Sequence, residues 1–123
     1  MIRVVVLVKQ VPDPELPLSQ FKVDESTNSV VPPNGVPPVV NGFDLNAIEA
    51  ALRLRDSGID IEITVLSCGS EFVMDAMKKP LAMGADRLVL VVDPALDGID
   101  SAGTVKVLSA IVEKDGPFDL ILG

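Results

Sequence analysis

Four runs of apolar residues, at positions 3–8, 61–66, 87–92 and 119–122, are continuous rather than alternating. A strand with one wet face alternates apolar and polar side chains, whereas a strand covered on both faces is apolar throughout. These runs therefore predict a parallel sheet sandwiched between helices. Helical patterns lie between them. Asn41-Gly42-Phe43-Asp44 reads as a capped helix start, with Asn41 able to accept a backbone N–H and Asp44 near the positive end of the helix dipole. That helix is expected to reach about Asp56, to bury Ala47, Ile48, Ala51, Leu52 and Leu54, to carry Glu49 with Arg53 as an i,i+4 pair, and to end at Ser57-Gly58. A second is expected from about Ser70 to Met83, bent or divided by Pro80, with Gly84 suited to the left-handed position after it. A third is expected to begin near Ser101, to bury Val105, Leu108, Ile111 and Val112, and to stop at Lys114-Asp115-Gly116-Pro117. Strand and helix alternate throughout, which predicts the α/β class with right-handed crossovers and helices on both faces of the sheet.

Residues 11–40 break this pattern. They hold most of the chain's prolines, including Pro12, Pro14, Pro17 and the pairs Pro32-Pro33 and Pro37-Pro38, and far exceed an ordinary βα connection. Phe21-Lys22-Val23 and Ser29-Val30-Val31 flank a polar turn at 24–28, so a small hairpin beside the main sheet is expected, with the rest of the insert extended. The 123 residues show no internal repeat and read as one α/β domain, 1–123. The run at 119–122 reads as a strand, and in an open parallel sheet the ligand site lies beyond the carboxyl ends of the strands. The expectation is therefore that the chain is the front part of a nucleotide-binding domain, truncated on its carboxyl side, with part of the site contributed by residues past Gly123.

Composition removes several classes of chemistry. A formal net charge of −8 repels nucleic acid and anionic lipid. No apolar run approaches the ~20 residues needed to span a bilayer. Met1-Ile2-Arg3 leads straight into the first strand, so a cytoplasmic location without membrane insertion is expected. The chain has no His, Tyr or Trp, which excludes a Ser-His-Asp or Cys-His nucleophile pair and a tyrosine acid within these residues, and makes a zinc site improbable. The lone cysteine, Cys68, can form no internal disulfide and reads as a small buried hydrophobe rather than a nucleophile. The loops at the carboxyl ends of the strands are the candidate site: Lys9-Gln10, and Ser67-Cys68-Gly69-Ser70, whose small residues suit a helix N-terminus facing an adenine ring or phosphate. By their residues alone, Lys9 is either an anion contact or a solvated charge, and Asn41 is a helix cap. Asp86 and Arg87 fall at the opposite edge of the sheet, away from the site.

Taken together, several segments carry a resemblance that none carries singly. Val6-Leu7-Val8-Lys9-Gln10-Val11, then Asn41-Gly42-Phe43-Asp44 followed by Ala47-Ile48-Glu49-Ala50-Ala51-Leu52-Arg53-Leu54, then Val65-Leu66-Ser67-Cys68-Gly69, then Ala82-Met83-Gly84-Ala85-Asp86-Arg87, and finally Asp119-Leu120-Ile121-Leu122 resemble the β subunit of electron transfer flavoproteins in order and spacing. Lys9-Gln10-Val11-Pro12 and the proline-bearing insert look closer to the branch called FixA. The resemblance implies a Rossmann-like sheet in the order 3-2-1-4. It implies a carrier rather than an enzyme: a heterodimer with an α subunit that carries FAD, passing electrons from acyl-CoA or other dehydrogenases, or from NADH in bifurcating members, to a respiratory or ferredoxin-linked acceptor. The β subunit would hold an adenine nucleotide, AMP or a second FAD, and the FixA-like start favours FAD. Carried over by position, the nucleotide contacts fall on Leu7, Asn41, Gly42, Phe43, Asp44 and Cys68, and Lys9 stands at the mouth of the same crevice. The family often has Pro where this chain has Gly42.

Two other readings compete. One is an adenine-nucleotide sensor module of the same layout with no redox role. The other, an ATP-using hydrolase or ligase, calls for a Gly-rich phosphate loop after the first strand, where this chain has Lys9-Gln10-Val11-Pro12. With one side of its crevice missing, the 123-residue chain is expected to bind adenine nucleotide weakly, and to self-associate through apolar surface left uncovered.

Overall fold

The computed structural model describes residues 1–123. Its centre is β1 (Ile2–Leu7), in which Val4, Val5 and Val6 are all fully buried. Successive side chains on a strand point to opposite faces, so burial of three in a row means that both faces are covered. That is the physical content of the continuous apolar run. The chain continues through β2 (Gln10–Val11), β3 (Lys22–Asp24), β4 (Ser29–Val31), β5 (Val39–Val40), α1 (Gly42–Asp56), β6 (Ile61–Gly69), α2 (Met74–Met77), α3 (Lys79–Met83), β7 (Arg87–Val92), α4 (Ser101–Asp115) and β8 (Leu120–Leu122).

The main sheet is wholly parallel in the order β7-β6-β1-β8, the expected order for the four apolar runs. Ile2 pairs with Ile61, Val4 with Leu120 and Thr64 with Arg87, so β1 and β6 start level while the two outer strands start further along. One face packs Val4, Val6, Ile63 and Val65 against Ile48 and Ala51 of α1 and Met77 of α2. The other face, with Val5, Thr64, Leu66 and Val89, meets Ile111 of α4 and Phe118. Helices therefore lie on both faces, as a right-handed chain that reverses direction after β7 requires. The amino edge is closed by charge: Arg55 pairs with Asp86 and donates to the Gly84 carbonyl at 2.8 Å, while Asp86 Oδ2 accepts the Ile63 N–H at 2.8 Å. Asp86 and Arg87 thus stand at the edge remote from the strand ends, as expected.

α1 has its expected bounds. Asn41 Oδ1 accepts the Phe43 N–H at 3.0 Å, Glu49 pairs with Arg53 at 3.0 Å, and Gly58 (φ +93°) ends the turn after the helix. Leu54 is more exposed than expected and belongs to the rim rather than the core. The hairpin also forms, as β3 against β4 with Val23 opposite Val30, although it makes a separate two-stranded sheet rather than adding to the main one.

Three expectations are corrected. Residues 70–73 are not helical, so the second helix starts at Met74 rather than near Ser70; its division into two pieces, α2 and α3, at Lys78 is as expected from Pro80. Pro80 lacks an N–H and crowds the carbonyl four residues before it, so a continuous helix cannot pass, and a fresh one starts with Pro80 in its first turn. Secondly, β6 runs on through Ser67, Cys68 and Gly69, paired with Leu90, Val91 and Val92. The Ser67-Cys68-Gly69-Ser70 segment is therefore mostly strand and does not form a helix N-terminus. Thirdly, no residue of α4 is fully buried; Leu108, Ile111 and Val112 are half-buried and Val105 is 60% exposed. A single helix cannot cover the whole width of its face, and Ile121 of β8 is left 53% exposed beside it.

Candidate functional site

The carboxyl ends of β1, β6 and β8 open into a cleft of about 590 Å³, within the usual range for small-ligand sites. It lies where the chain order reverses, between β1 and β8, which is where open parallel sheets bind their ligands. Its near wall begins at Leu7 and turns at Lys9, because β1 ends there and β2 leaves the main sheet to pair with β5. This corner is tied to α1 in both directions. The Lys9 N–H donates to Asp44 Oδ2 at 2.7 Å, and the Asn41 N–H donates to the Lys9 carbonyl at 2.9 Å.

The cleft brings together Leu7, Lys9, Asp44 and Cys68 of the seven expected site residues. Asn41, Gly42 and Phe43 are adjacent in sequence but do not line it; the Asn41 side chain is engaged as the cap of α1, and Phe43 is 82% exposed. Gly42 has open space where a Cβ would stand, so its lack of a side chain serves no close packing contact.

Cys68, near the carboxyl end of β6, is half-buried. Burial pushes its thiol above the ordinary range, and the Lys9 ammonium pulls weakly the other way. A thiol held in its neutral form is a poor nucleophile, which accords with Cys68 as a wall residue. Charge narrows what the cleft can hold. The lining holds one cation, Lys9, and three carboxylates, Asp44, Glu71 and Asp97, a balance that suits the uncharged base and sugar of a nucleoside better than a triphosphate.

Sequence reasoning missed the far wall, formed by Asp97, Gly98, Ile99 and Thr104. This loop leaves β7 at one edge of the sheet and must cross over β6 and β1 for α4 to reach β8, so it passes over the cleft. Gly98 takes φ +65°, a left-handed turn that glycine allows at little cost, and Asp100 accepts the Gly103 N–H at 2.8 Å to start α4. The Asp97-Gly98 turn signal was present, but its place over the site depended on the crossover. Gln10 was missed as an individual residue: it lines the cleft, and its side chain accepts the Val73 N–H at 2.8 Å.

The family model of the electron transfer flavoprotein domain matches residues 29–123. The chain is 40% identical over 111 residues to the electron transfer flavoprotein subunit beta of Megasphaera elsdenii, covering 90% of this chain and 39% of that protein. It is 42% identical over 113 residues to protein FixA of Azorhizobium caulinodans, covering 92% and 38%. It is 36% identical over 120 residues to the caffeyl-CoA reductase-Etf complex subunit CarD of Acetobacterium woodii, covering 98% and 44%. The chain thus spans about two-fifths of the length of these relatives. With a matching domain over most of its length, and β-subunit and FixA relatives at about 40% identity, the chain belongs to the electron transfer flavoprotein family, as a FixA-like β-subunit sequence.

Proposed function

We propose that this chain is the nucleotide-holding domain of an electron transfer flavoprotein β subunit, a cytoplasmic carrier that works with an FAD-bearing α subunit. The observation that carries the proposal is the cleft at the reversal of strand order, lined by Leu7, Lys9, Asp44 and Cys68 in a chain of this family. Its volume accommodates an adenosine moiety, and of its polar side chains Asp44 and Gln10 are already bonded to backbone N–H groups, which leaves a share of the recognition to main-chain groups. In this reading Leu7 and Cys68 wall the base and Lys9 offers a cation at the mouth. Asn41, Gly42, Phe43 and Asp44 present the start of α1. FAD supplies the chemistry of accepting electrons in pairs and releasing them singly. The protein's residues contribute binding and exclusion of water.

Electrons would pass from acyl-CoA or other dehydrogenases, or from NADH in a bifurcating complex, to a respiratory or ferredoxin-linked acceptor. The β-site nucleotide is proposed to be a second FAD, with AMP as the alternative. Acid extraction of the full-length protein purified with its α subunit, followed by counting flavin and AMP per heterodimer, tests this. Two flavins are expected. One flavin with one AMP would move the β site to AMP, and a colourless protein that binds adenine nucleotide with no flavin-bearing partner would replace the carrier by a sensor module.

A further inference from the structure

One bond across the cleft is not explained by the sheet. The backbone N–H of Val73 donates to Gln10 Oε1 at 2.8 Å, joining residues 63 apart in sequence. Val73 stands immediately before α2, and no side chain within that segment caps the helix. Because the Val73 N–H can only donate, the bond also fixes which way round the Gln10 amide lies, leaving Nε2 as its remaining donor.

Both ends of this connection matter to the cleft. Gln10 belongs to β2, opposite Val40, and directly follows Lys9, whose backbone is held by Asp44 and Asn41. Val73 closes the segment whose Ser70, Glu71 and Phe72 form another wall of the cleft. That segment is neither helix nor strand, and on its carboxyl side it leads into a helix of only four residues. At its other end it is anchored by Gly69, where an added Cβ would come within 3.3 Å of the Phe72 ring. Between those anchors the Gln10 carbonyl is the side-chain tie that sets how far the wall stands from the Lys9 corner.

We propose that Gln10 is a positioning residue for the nucleotide cleft, acting through the acceptor it offers to Val73 rather than by touching the ligand. This rests on the nucleotide-binding reading given above. The bond is solvent-accessible, so its loss should be felt less in global stability than in the shape of the wall.

The test uses the full-length protein stripped of bound nucleotide, with adenosine as the probe so that added charge does not enter. Gln10→Met, of similar length but with only a weak thioether acceptor, is expected to weaken adenosine binding by roughly 2- to 10-fold, the range for one lost neutral hydrogen bond. Gln10→Glu keeps an oxygen for Val73 and is expected to bind within about twofold of wild type by the same reckoning. Hydrogen exchange at the Val73 amide should be slow in wild type and Gln10→Glu and fast in Gln10→Met. Wild-type adenosine affinity in Gln10→Met would overturn the inference. So would a Gln10→Glu variant as weak as Gln10→Met, which would place the lost contact on Nε2 and the ligand. A wild-type protein that binds no adenosine would overturn the proposed function, whereas equal Val73 exchange in wild type and Gln10→Met overturns this inference whatever binds.

Discussion

Asp44 Oδ2 accepts the backbone N–H of Lys9 at 2.7 Å, so a carboxylate in the first turn of α1 holds the corner where the chain leaves the central strand. The charge acts twice, as an acceptor for Lys9 and as an anion near the positive end of the helix dipole. Asp44→Ala is expected to lower stability by about 1.5 kcal/mol, and Asp44→Asn, which keeps an acceptor but not the charge, by less than half of that. Urea unfolding checks both: the midpoint should fall with an unchanged slope, in the order wild type, Asn, Ala.

Gly42 opens α1, has no crowding at its missing Cβ, and follows Asn41 at φ −51° and ψ 129°, a conformation that a residue before proline readily takes. The N–H at this first position has no intrahelical partner to lose. Gly42→Pro should therefore stabilise the fold by about 0.4–1 kcal/mol, chiefly by restricting the unfolded chain. A rise of roughly 1–4 °C in the thermal midpoint is the expected reading for a domain of this size. A lower midpoint would show that Gly42 is needed for its flexibility.

Asp86 accepts the part-buried N–H of Ile63 and pairs with Arg55, which also donates to the carbonyls of Gly84 and Ile61. Removing the carboxylate leaves a guanidinium and a strand N–H without their partner. Asp86→Ala is expected to cost about 2 kcal/mol. The exposed Glu49–Arg53 pair on the same helix as Arg55 should contribute no more than about 0.5 kcal/mol when Glu49 is replaced by Ala. Chemical denaturation of the two variants side by side measures the contrast.

Burial raises the Cys68 thiol, so the folded chain keeps this proton at a pH where the unfolded chain has released it. The folded state binds more protons above the unfolded value of about 8.5, and stability falls as pH rises from there through the folded value. Below that window the thiol costs nothing. Cys68→Ala should therefore lose less stability than wild type between about pH 8 and 10 and show no such difference in pH dependence near pH 7. In iodoacetamide labelling at neutral pH, Cys68 should react more slowly than a free thiol. Lys9→Met, which removes the cation that partly offsets burial, should slow it further.

The main elements were legible because their causes are local. Continuous apolar runs marked β1, β6, β7 and β8, and the Asn41 cap with Gly58 beyond the end bounded α1. The hairpin was legible from two strand-like triplets, Phe21-Lys22-Val23 and Ser29-Val30-Val31, around a polar turn. Of the expected site residues, Leu7, Lys9 and Cys68 were brought to one cleft because strand ends in a parallel sheet share an edge, and Asp44 joins them from α1 through its bond to the Lys9 N–H.

What the sequence by itself determined was the alternation of buried strands and helices, and the helix caps and turns. Tertiary structure alone decided that Ser67, Cys68 and Gly69 are strand, since their pairing with Leu90, Val91 and Val92 overrides their weak preference for it. It alone placed Asp97 to Ile99 over the cleft, joined Gln10 to Val73, and left Val105 and Ile121 exposed. The division has one physical reason. Periodicity and capping act between residues a few positions apart, whereas these contacts join residues that only the crossovers bring together, and their energies depend on that geometry.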